Sequence, residues 1–185
     1  MKEELLTASE KNHTGRSRPA SEKNHTGRSR PASEKNHTGR SRPAFEEIYL
    51  NLAFTLAKRS TCQRLQVGTV ITSSDFRKVL AVGYNGNASG LPNCCENPNE
   101  PGNCGCLHSE ENAAINCDSP RSIKKFVFVT HHPCRACAKR LINLGNVQKI
   151  FYGKDYRSTS SQEILNSVGI PIIKLETPFL YENLI

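Results

Sequence analysis

The sequence has no long apolar segment, either at its start or elsewhere. No stretch reaches the roughly 18 consecutive apolar residues typical of a membrane-spanning helix. The opening residues, MKEELLTASE, also lack the apolar core of a secretory signal peptide. We therefore expect a cytoplasmic protein that has no membrane partner.

Large apolar side chains are also absent from three identical copies of a short repeat. The copies read SEKNHTGRSRPA and occupy residues 9–20, 21–32 and 33–44. Such a segment cannot bury enough apolar surface to offset the entropy that is lost on ordering. The sequence therefore predicts a disordered arm over residues 1–44 and one folded domain over residues 45–185.

The predicted arm holds most of the positive charge. The formal net charge is +8, and residues 1–44 contribute 10 Lys or Arg against 5 Asp or Glu, which is +5 and leaves +3 for residues 45–185. A basic arm could contact nucleic acid through phosphate charge alone. A solvated tail explains the same composition more simply, so we do not expect a nucleic-acid partner.

Hydrophobic periodicity in the folded part alternates between helices and strands. An apolar run at helical spacing comes first, and a two-stranded hairpin and a long cysteine-containing loop follow it. Beyond the loop, helices and strands alternate, which indicates a partly parallel sheet covered by helices. The predicted helices span 45–60, 108–117, 134–144 and 160–168, and the predicted strands span 67–72, 78–86, 125–130, 149–153 and 171–175.

Eight cysteines in a chain without an export signal favour reduced thiols and metal ligands over disulfides. Cys134 and Cys137 form a Pro-Cys-x-x-Cys motif at a predicted helix start, directly after a strand. His108 opens another predicted helix, and helix starts gather at the carboxyl ends of parallel strands. One imidazole and two thiolates would leave the fourth position of a tetrahedral zinc ion open, as in catalytic zinc sites.

Glu110 and Glu111 both follow His108 closely, and either could serve as an acid or base. Glu110 is two residues from a ligand, and one further step along a helix rotates the side chain by about 100°. We therefore predict Glu110 as the proton carrier. Taken alone, His-x-Glu on a helix is usually no more than an exposed polar pair, and only its pairing with Pro-Cys-x-x-Cys favours catalysis.

His-x-Glu followed by Pro-Cys-x-x-Cys is the signature of zinc-dependent nucleobase deaminases. With QVGTVI at 66–71 and VGYNG at 82–86, the chain resembles the deoxycytidylate (dCMP) deaminase family over most of residues 45–175. The resemblance implies a cytidine deaminase-like three-layer α/β/α fold with a five-stranded mixed sheet. It also implies hydrolysis of dCMP to dUMP, regulation by dCTP and dTTP, and a homo-oligomer.

The same resemblance assigns residues. It places the catalytic Zn²⁺ on His108, Cys134 and Cys137, gives proton transfer to Glu110, and places Asn85 against the sugar of the nucleotide. Ser109 departs from the family, which usually has a small apolar residue there.

The remaining cysteines suggest a second, structural zinc ion. Some phage members of the family resemble this chain in having cysteines at positions that match Cys62 and Cys94, with Cys104 and Cys106 in place of histidines. The residues alone leave open whether Cys94 or Cys95 is the ligand. Arg64, Lys154 and Arg157 are candidates for phosphate binding by charge and position, and His131 and His132 receive no catalytic role.

Two other functions fit the same residues. One is deamination of a different amino-heterocycle, which could be a free nucleoside, guanine, or a base in nucleic acid. The other is a zinc-stabilised binding module without catalysis, against which Glu110 argues because a structural site has no use for that carboxylate.

Overall fold

The computed structural model describes residues 42–100, 103–157 and 160–176, and these contain four helices and five strands in the predicted order. The predicted arm lies outside the described residues except for residues 42–44. The helices are α1 (Phe45–Ala57), α2 (Ser109–Ile115), α3 (Arg135–Leu144) and α4 (Ser160–Ser167), and the strands are β1 (Gly68–Ser73), β2 (Val79–Tyr84), β3 (Lys125–His131), β4 (Val147–Lys154) and β5 (Ile172–Lys174).

The strands form one mixed sheet in the order β2-β1-β3-β4-β5. β1 pairs antiparallel with both β2 and β3, whereas β3, β4 and β5 run parallel to one another. The predicted five-stranded mixed α/β sheet is therefore confirmed. A hairpin connects β1 and β2, and helical crossovers connect the parallel strands, as such pairings require.

Both faces of the sheet are covered, so its central strands read as continuous apolar runs. Side chains alternate along β3, where Phe126 and Phe128 pack with α1 and Val127 and Val129 pack with the opposite layer. That opposite layer contains Ala113 of α2 and apolar residues of α3 and α4. The three-layer α/β/α arrangement predicted from the sequence follows from this alternation.

Gly83 of β2 allows α2 to lie directly on the strand. A Cβ atom at this position would lie 2.3 Å from the carbonyl oxygen of Ser109 and 2.5 Å from the amide nitrogen of Ala113. Only glycine permits so close an approach of the two backbones. The hairpin therefore determines where the first turn of α2 sits.

The residues that follow β2 also hold the start of α2. The backbones of Gly86 and Leu107 form an isolated bridge, with N–H to oxygen contacts of 3.2 and 2.9 Å between donor and acceptor atoms. The predicted long loop thus returns to the end of β2 just before His108. Among the described residues, no helix is long and apolar enough to cross a membrane.

Candidate active site

A cavity of about 410 Å³ opens at the ends of the central strands. Its wall comprises the start of α2, the residues between β3 and α3, the residues after β4, and the segment that joins α1 to β1. This volume lies in the ~300–1,000 Å³ range of small-molecule sites. The cavity therefore has room for a substrate of nucleotide size.

Three potential metal ligands meet on the cavity side of α2 and α3. Nδ1 of His108 lies 3.6 Å from Sγ of Cys134 and 3.3 Å from Sγ of Cys137. A tetrahedral zinc ion with Zn–N of about 2.05 Å and Zn–S of about 2.3 Å separates such ligand atoms by about 3.6 Å. The three residues therefore fit Zn²⁺, and no fourth protein ligand joins them in the part of the chain that the structure describes.

Helix starts position two of these ligands. His108 is the N-cap residue of α2, and Cys134 is the N-cap residue of α3. Sγ of Cys134 also accepts a hydrogen bond from the backbone N–H of Cys137 at 3.5 Å. Extended N-cap backbones turn both side chains out of their helices and toward one another, so the start of a helix brings each of these two ligands to the site.

The two thiols differ in their readiness to ionise. Hydrogen bonding from Cys137, followed by that from His108, lowers the pKa of Cys134 to about 3. The pKa of Cys137 is raised, first by its contact with the Cys134 thiolate and then by burial. The Cys134 thiolate raises the pKa of His108 in turn. One thiolate is therefore ready to bind a cation, and a bound metal would ionise the second thiol.

Glu110 is a buried carboxyl group on the cavity wall, with only 4% of its surface exposed. Burial raises its pKa, which places it closer to the range that suits a general acid and base. Oε2 accepts a hydrogen bond of 3.0 Å from the hydroxyl of Ser109. Glu111 instead faces α3, where its carboxylate pairs with Arg140 at 3.1 Å. The helix register thus directs the two glutamates to different surroundings.

A second group of ligand atoms consists of four thiols, and it includes Cys95 rather than Cys94. Sγ of Cys95 lies 3.7 Å from Sγ of Cys62 and 3.6 Å from that of Cys106, and the Sγ atoms of Cys62 and Cys104 are 3.8 Å apart. A zinc ion with four thiolates at about 2.3 Å has S–S edges of about 3.8 Å. The four cysteines therefore fit a closed zinc site.

Of the two adjacent cysteines that the sequence leaves open, the structure favours Cys95 over Cys94 as the fourth ligand. Cys94 is exposed, whereas its neighbour Cys95 is buried within the cluster. Successive side chains on this turn point in different directions, and the fold turns Cys95 inward.

Ionisation within the four-cysteine cluster starts at Cys62. Burial opposes it, but hydrogen bonds from the backbone at Leu65 and Arg64 and from two neighbouring thiols outweigh burial and lower the pKa of Cys62. Burial raises the pKa of Cys104 and of Cys106. Cys62 therefore ionises more readily than Cys104 and Cys106, which is a suitable starting point for capture of a cation.

Asn85, the predicted sugar-binding residue, already makes two hydrogen bonds within the protein. Its Oδ1 accepts from the backbone N–H of Val67 at 2.8 Å, and its Nδ2 donates to the carbonyl oxygen of Leu65 at 2.7 Å. An amide side chain has two donor hydrogens and two acceptor lone pairs, so one of each remains. Asn85 lines the cavity and also ties the end of β2 to the segment before β1.

The three phosphate-binding candidates lie in different places. Arg64 and Arg157 are exposed residues that line the cavity. The guanidinium of Arg64 donates a hydrogen bond to the carbonyl oxygen of Glu100, and that of Arg157 donates to the Tyr156 hydroxyl at 3.2 Å. The ammonium of Lys154 lies 5.6 Å from the centre of the Phe54 ring, on the α1 side of the sheet. Lys154 is therefore the least suitable of the three.

Comparison with known proteins gives the family. Residues 43–154 match the family described as "Cytidine and deoxycytidylate deaminase zinc-binding region". The chain belongs to this deaminase family. Deoxycytidylate deaminase of Mycobacterium phage D29 is 33% identical over 124 residues, which cover 60% of this chain and 94% of the phage protein. ComE operon protein 2 of Bacillus subtilis is 30% identical over 144 residues, or 70% of each chain.

The same family appears among solved structures. The dCMP deaminase of cyanophage S-TIM5, crystallised in complex with dCMP and dUMP, matches with a TM-score of 0.63 and 33% identity. The match covers 70% of this chain and 96% of the phage chain. Family membership and fold thus agree with the resemblance on which the sequence analysis relied.

His131 and His132, which precede Pro133 and could face a substrate, both line the cavity. Sequence reasoning missed a contact beside Glu110. Ser109 is fully buried, and its Oγ lies 2.7 Å from Oγ1 of Thr69 in β1. No local pattern links these two hydroxyls, because the sheet brings them together from 40 positions apart.

Proposed function

We propose that this protein catalyses the hydrolytic deamination of dCMP to dUMP and ammonia, a step toward dTMP. The observation that carries the proposal is a buried carboxyl group, Glu110, beside a three-ligand group that fits zinc, on the wall of a nucleotide-sized cavity. A non-catalytic zinc module would not need that carboxyl group. The family supports deamination, and the deoxycytidylate deaminases among the relatives support dCMP as the substrate.

His108, Cys134 and Cys137 would hold the catalytic zinc ion, which when bound lowers the pKa of water and so supplies a nucleophile at neutral pH. Glu110 then has two tasks, both at its carboxylate oxygens. It takes a proton from the attacking water, and it delivers protons to N3 of the cytosine and to the departing amine. Its raised pKa suits both directions, because a carboxyl group of ordinary acidity would hold a proton too weakly to return it.

The remaining walls of the cavity give the nucleotide its orientation. We assign the free N–H and lone pair of Asn85 to the sugar, and Arg64 and Arg157 to the phosphate. Arginine suits a phosphate because its planar N–H groups match two oxygens at once. Both guanidinium groups already have a protein partner at the cavity rim, which restrains them there and lowers the entropy that is lost on binding.

The four-cysteine cluster is assigned to a second, structural zinc ion. It joins Cys62, which precedes β1, to the loop that carries Cys95, Cys104 and Cys106. Three of these cysteines also line the cavity, and Arg64 lies two residues from Cys62. The cluster would therefore hold the cysteine loop and the phosphate-binding arginine in place together.

The chain outside the deaminase domain and its assembly are also proposals. We assign residues 1–44 to an arm that catalysis does not need, and residues 45–185 to the zinc-dependent deaminase domain. Eight free cysteines, six of them in two groups that could hold a metal ion, suit a reducing compartment such as the cytoplasm. Regulation by dCTP and dTTP and a homo-oligomeric state follow from the family resemblance.

A substrate panel tests the function. Ammonia release would be followed with dCMP, CMP, deoxycytidine, dCTP, guanine and single-stranded oligonucleotides, with Glu110→Gln as the inactive control. We expect dCMP to have the highest kcat/KM, by about 100-fold or more over deoxycytidine, because phosphate-binding groups are left unpaired without it. Equal kcat/KM for these two would exclude the nucleotide assignment, and turnover of oligonucleotides alone would transfer the function to nucleic acid.

A further inference from the structure

We infer that Ser109 and Thr69 are positioning residues for Glu110 and that they reserve one of its two carboxylate oxygens for proton transfer. The inference rests on the proposed function, since it assumes that Glu110 moves protons. It starts from two hydroxyls that are fully buried at the site. Burying a hydroxyl is unfavourable unless it is hydrogen bonded. Here the Thr69 hydroxyl contacts that of Ser109, and the Ser109 hydroxyl contacts the carboxylate of Glu110.

The hydrogen bonds have a defined direction. A hydroxyl has one hydrogen, and that of Ser109 is donated to Oε2 of Glu110 at 3.0 Å. In the 2.7 Å contact between Thr69 and Ser109, the donor must then be Thr69. The chain of donation therefore runs from β1 through the first residue of α2 to the carboxylate.

This arrangement makes the two oxygens of Glu110 unequal. Oε2 is occupied by a donor that the sheet itself holds in place, because Thr69 belongs to a strand paired on both sides. We assign proton exchange with water and with the base to the other oxygen, Oε1. A carboxylate that is held in this way populates fewer rotamers, so it needs less reorientation before each proton transfer. Such preorganisation raises kcat.

The alternative is a purely structural role, in which the two hydroxyls only join α2 to β1. The chain offers a matched control for that role. Thr72 lies on the same strand and is also fully buried, but its Oγ1 has no hydrogen-bond partner among the described residues. Thr72→Val therefore removes a buried hydroxyl from β1 without touching Glu110.

The kinetic test compares Ser109→Ala, Thr69→Val, their double variant, Thr69→Ser and Thr72→Val in the full-length, zinc-loaded protein. Ser109→Ala should lower kcat for dCMP by about tenfold to a hundredfold, the size of one hydrogen bond to a charged group. Thr69→Val should lower it by about threefold to tenfold, as for a neutral hydrogen bond, with KM and zinc content kept. The double variant should be no slower than Ser109→Ala, because both act through one chain. Thr69→Ser keeps the hydroxyl and should therefore have a kcat close to that of the wild type, and Thr72→Val should leave kcat unchanged.

A second readout does not depend on turnover. With glutamate labelled at its carboxyl carbon with ¹³C, the resonance of Glu110 can be assigned by its loss in Glu110→Gln. It should shift in Ser109→Ala and Thr69→Val but not in Thr72→Val. Failure of the wild type on every substrate would overturn the proposed function and, with it, the role of Oε1 in proton transfer, whereas the resonance separately tests the hydrogen-bond chain from Thr69 to Glu110. An unmoved resonance, or losses in kcat that multiply in the double variant, would overturn the inference itself.

Discussion

The two groups of potential metal ligands differ in which elements of the fold position them. His108 and Cys134 are N-cap residues of helices in the three-layer fold, and Cys137 lies one turn into α3. The four-cysteine cluster draws instead on loops, with one member before β1 and three in the segment between β2 and α2. The three-layer fold positions the first group, whereas the second group connects segments that have little regular structure.

The groups also differ in whether a bound zinc ion would keep a coordination position free. Three ligands leave a position for a reactant and have a carboxyl group beside them, whereas four thiols complete a tetrahedron. The two groups therefore suit different roles: the three-layer fold positions the reactive site, and the closed cluster stabilises the loop that completes the cavity. Loss of the first should abolish catalysis without unfolding, and loss of the second should loosen the protein while catalysis partly survives.

The largest expected effect is on catalysis at the three-ligand group. Glu110→Ala should keep the zinc content and the fold but lower kcat by about 10⁴-fold or more, because one carboxylate serves several proton transfers. Glu111→Ala is the matched control, since its carboxylate pairs with Arg140, and it should keep most of the activity. Steady-state ammonia release would measure both. Loss of turnover in Glu111→Ala alone would contradict the assignment.

Removing a ligand from the reactive site should cost metal and activity together. Cys134→Ala should lower zinc from about two ions per chain to about one and abolish deamination, with a smaller effect on the melting temperature. Elemental analysis of purified protein, run beside calorimetry, would measure this. A variant that kept both zinc ions would show that Cys134 is not a ligand.

Loss of a ligand from the four-cysteine cluster should affect stability more than catalysis. Cys95→Ala should also lower zinc to about one ion per chain, but it should lower the melting temperature by several degrees and leave measurable kcat, with KM for dCMP raised through Arg64. Cys94→Ala changes the neighbouring thiol, which is exposed, and should keep both zinc ions. A single zinc ion in the wild type would remove the structural site from the proposal.

The framework beneath the reactive site gives a smaller, purely structural effect. Lys125 is fully buried at the start of β3, and its ammonium donates to the carbonyl oxygens of Ile123 at 2.9 Å and Pro120 at 3.0 Å. Lys125→Met removes the ammonium donor from both oxygens and leaves Pro120 only the backbone N–H of Ile123, so it should lower the free energy of unfolding by roughly 2–3 kcal/mol. Lys124→Met, at an exposed neighbour, should change it by less than about 0.5 kcal/mol. Urea unfolding would measure both, and equal effects would contradict the role of the buried ammonium.

The sequence predicts the fold and the reactive site well for a common physical reason. Periodicity records which faces of helices and strands are buried, and the proposed catalytic ligands lie at or near the starts of helices. Boundaries deviate by a few residues, as for the first helix, which ends at Ala57 instead of residue 60. His108, Glu110 and Cys134 could therefore be located from local patterns, although their roles remain proposals.

Other features depend on contacts that no local pattern records. The choice between Cys94 and Cys95 is made by a turn in an irregular loop. The contact of Thr69 with Ser109 requires the position of α2 against β1. Lys125 reads as a charged residue at a strand start, where exposure is usual, and only the neighbouring carbonyl groups make its burial acceptable.

Close backbone contact at Gly83 couples the β1–β2 hairpin to α2, so we expect the two to evolve together. Because even a methyl group at this position would overlap the backbone of α2, the strand and the helix cannot drift apart independently during divergence. A chimera that took residues 106–117 from this protein and the hairpin from a relative would have to match that backbone spacing. Crossovers between relatives should therefore be tolerated before β1 or after α2, and rejected between them.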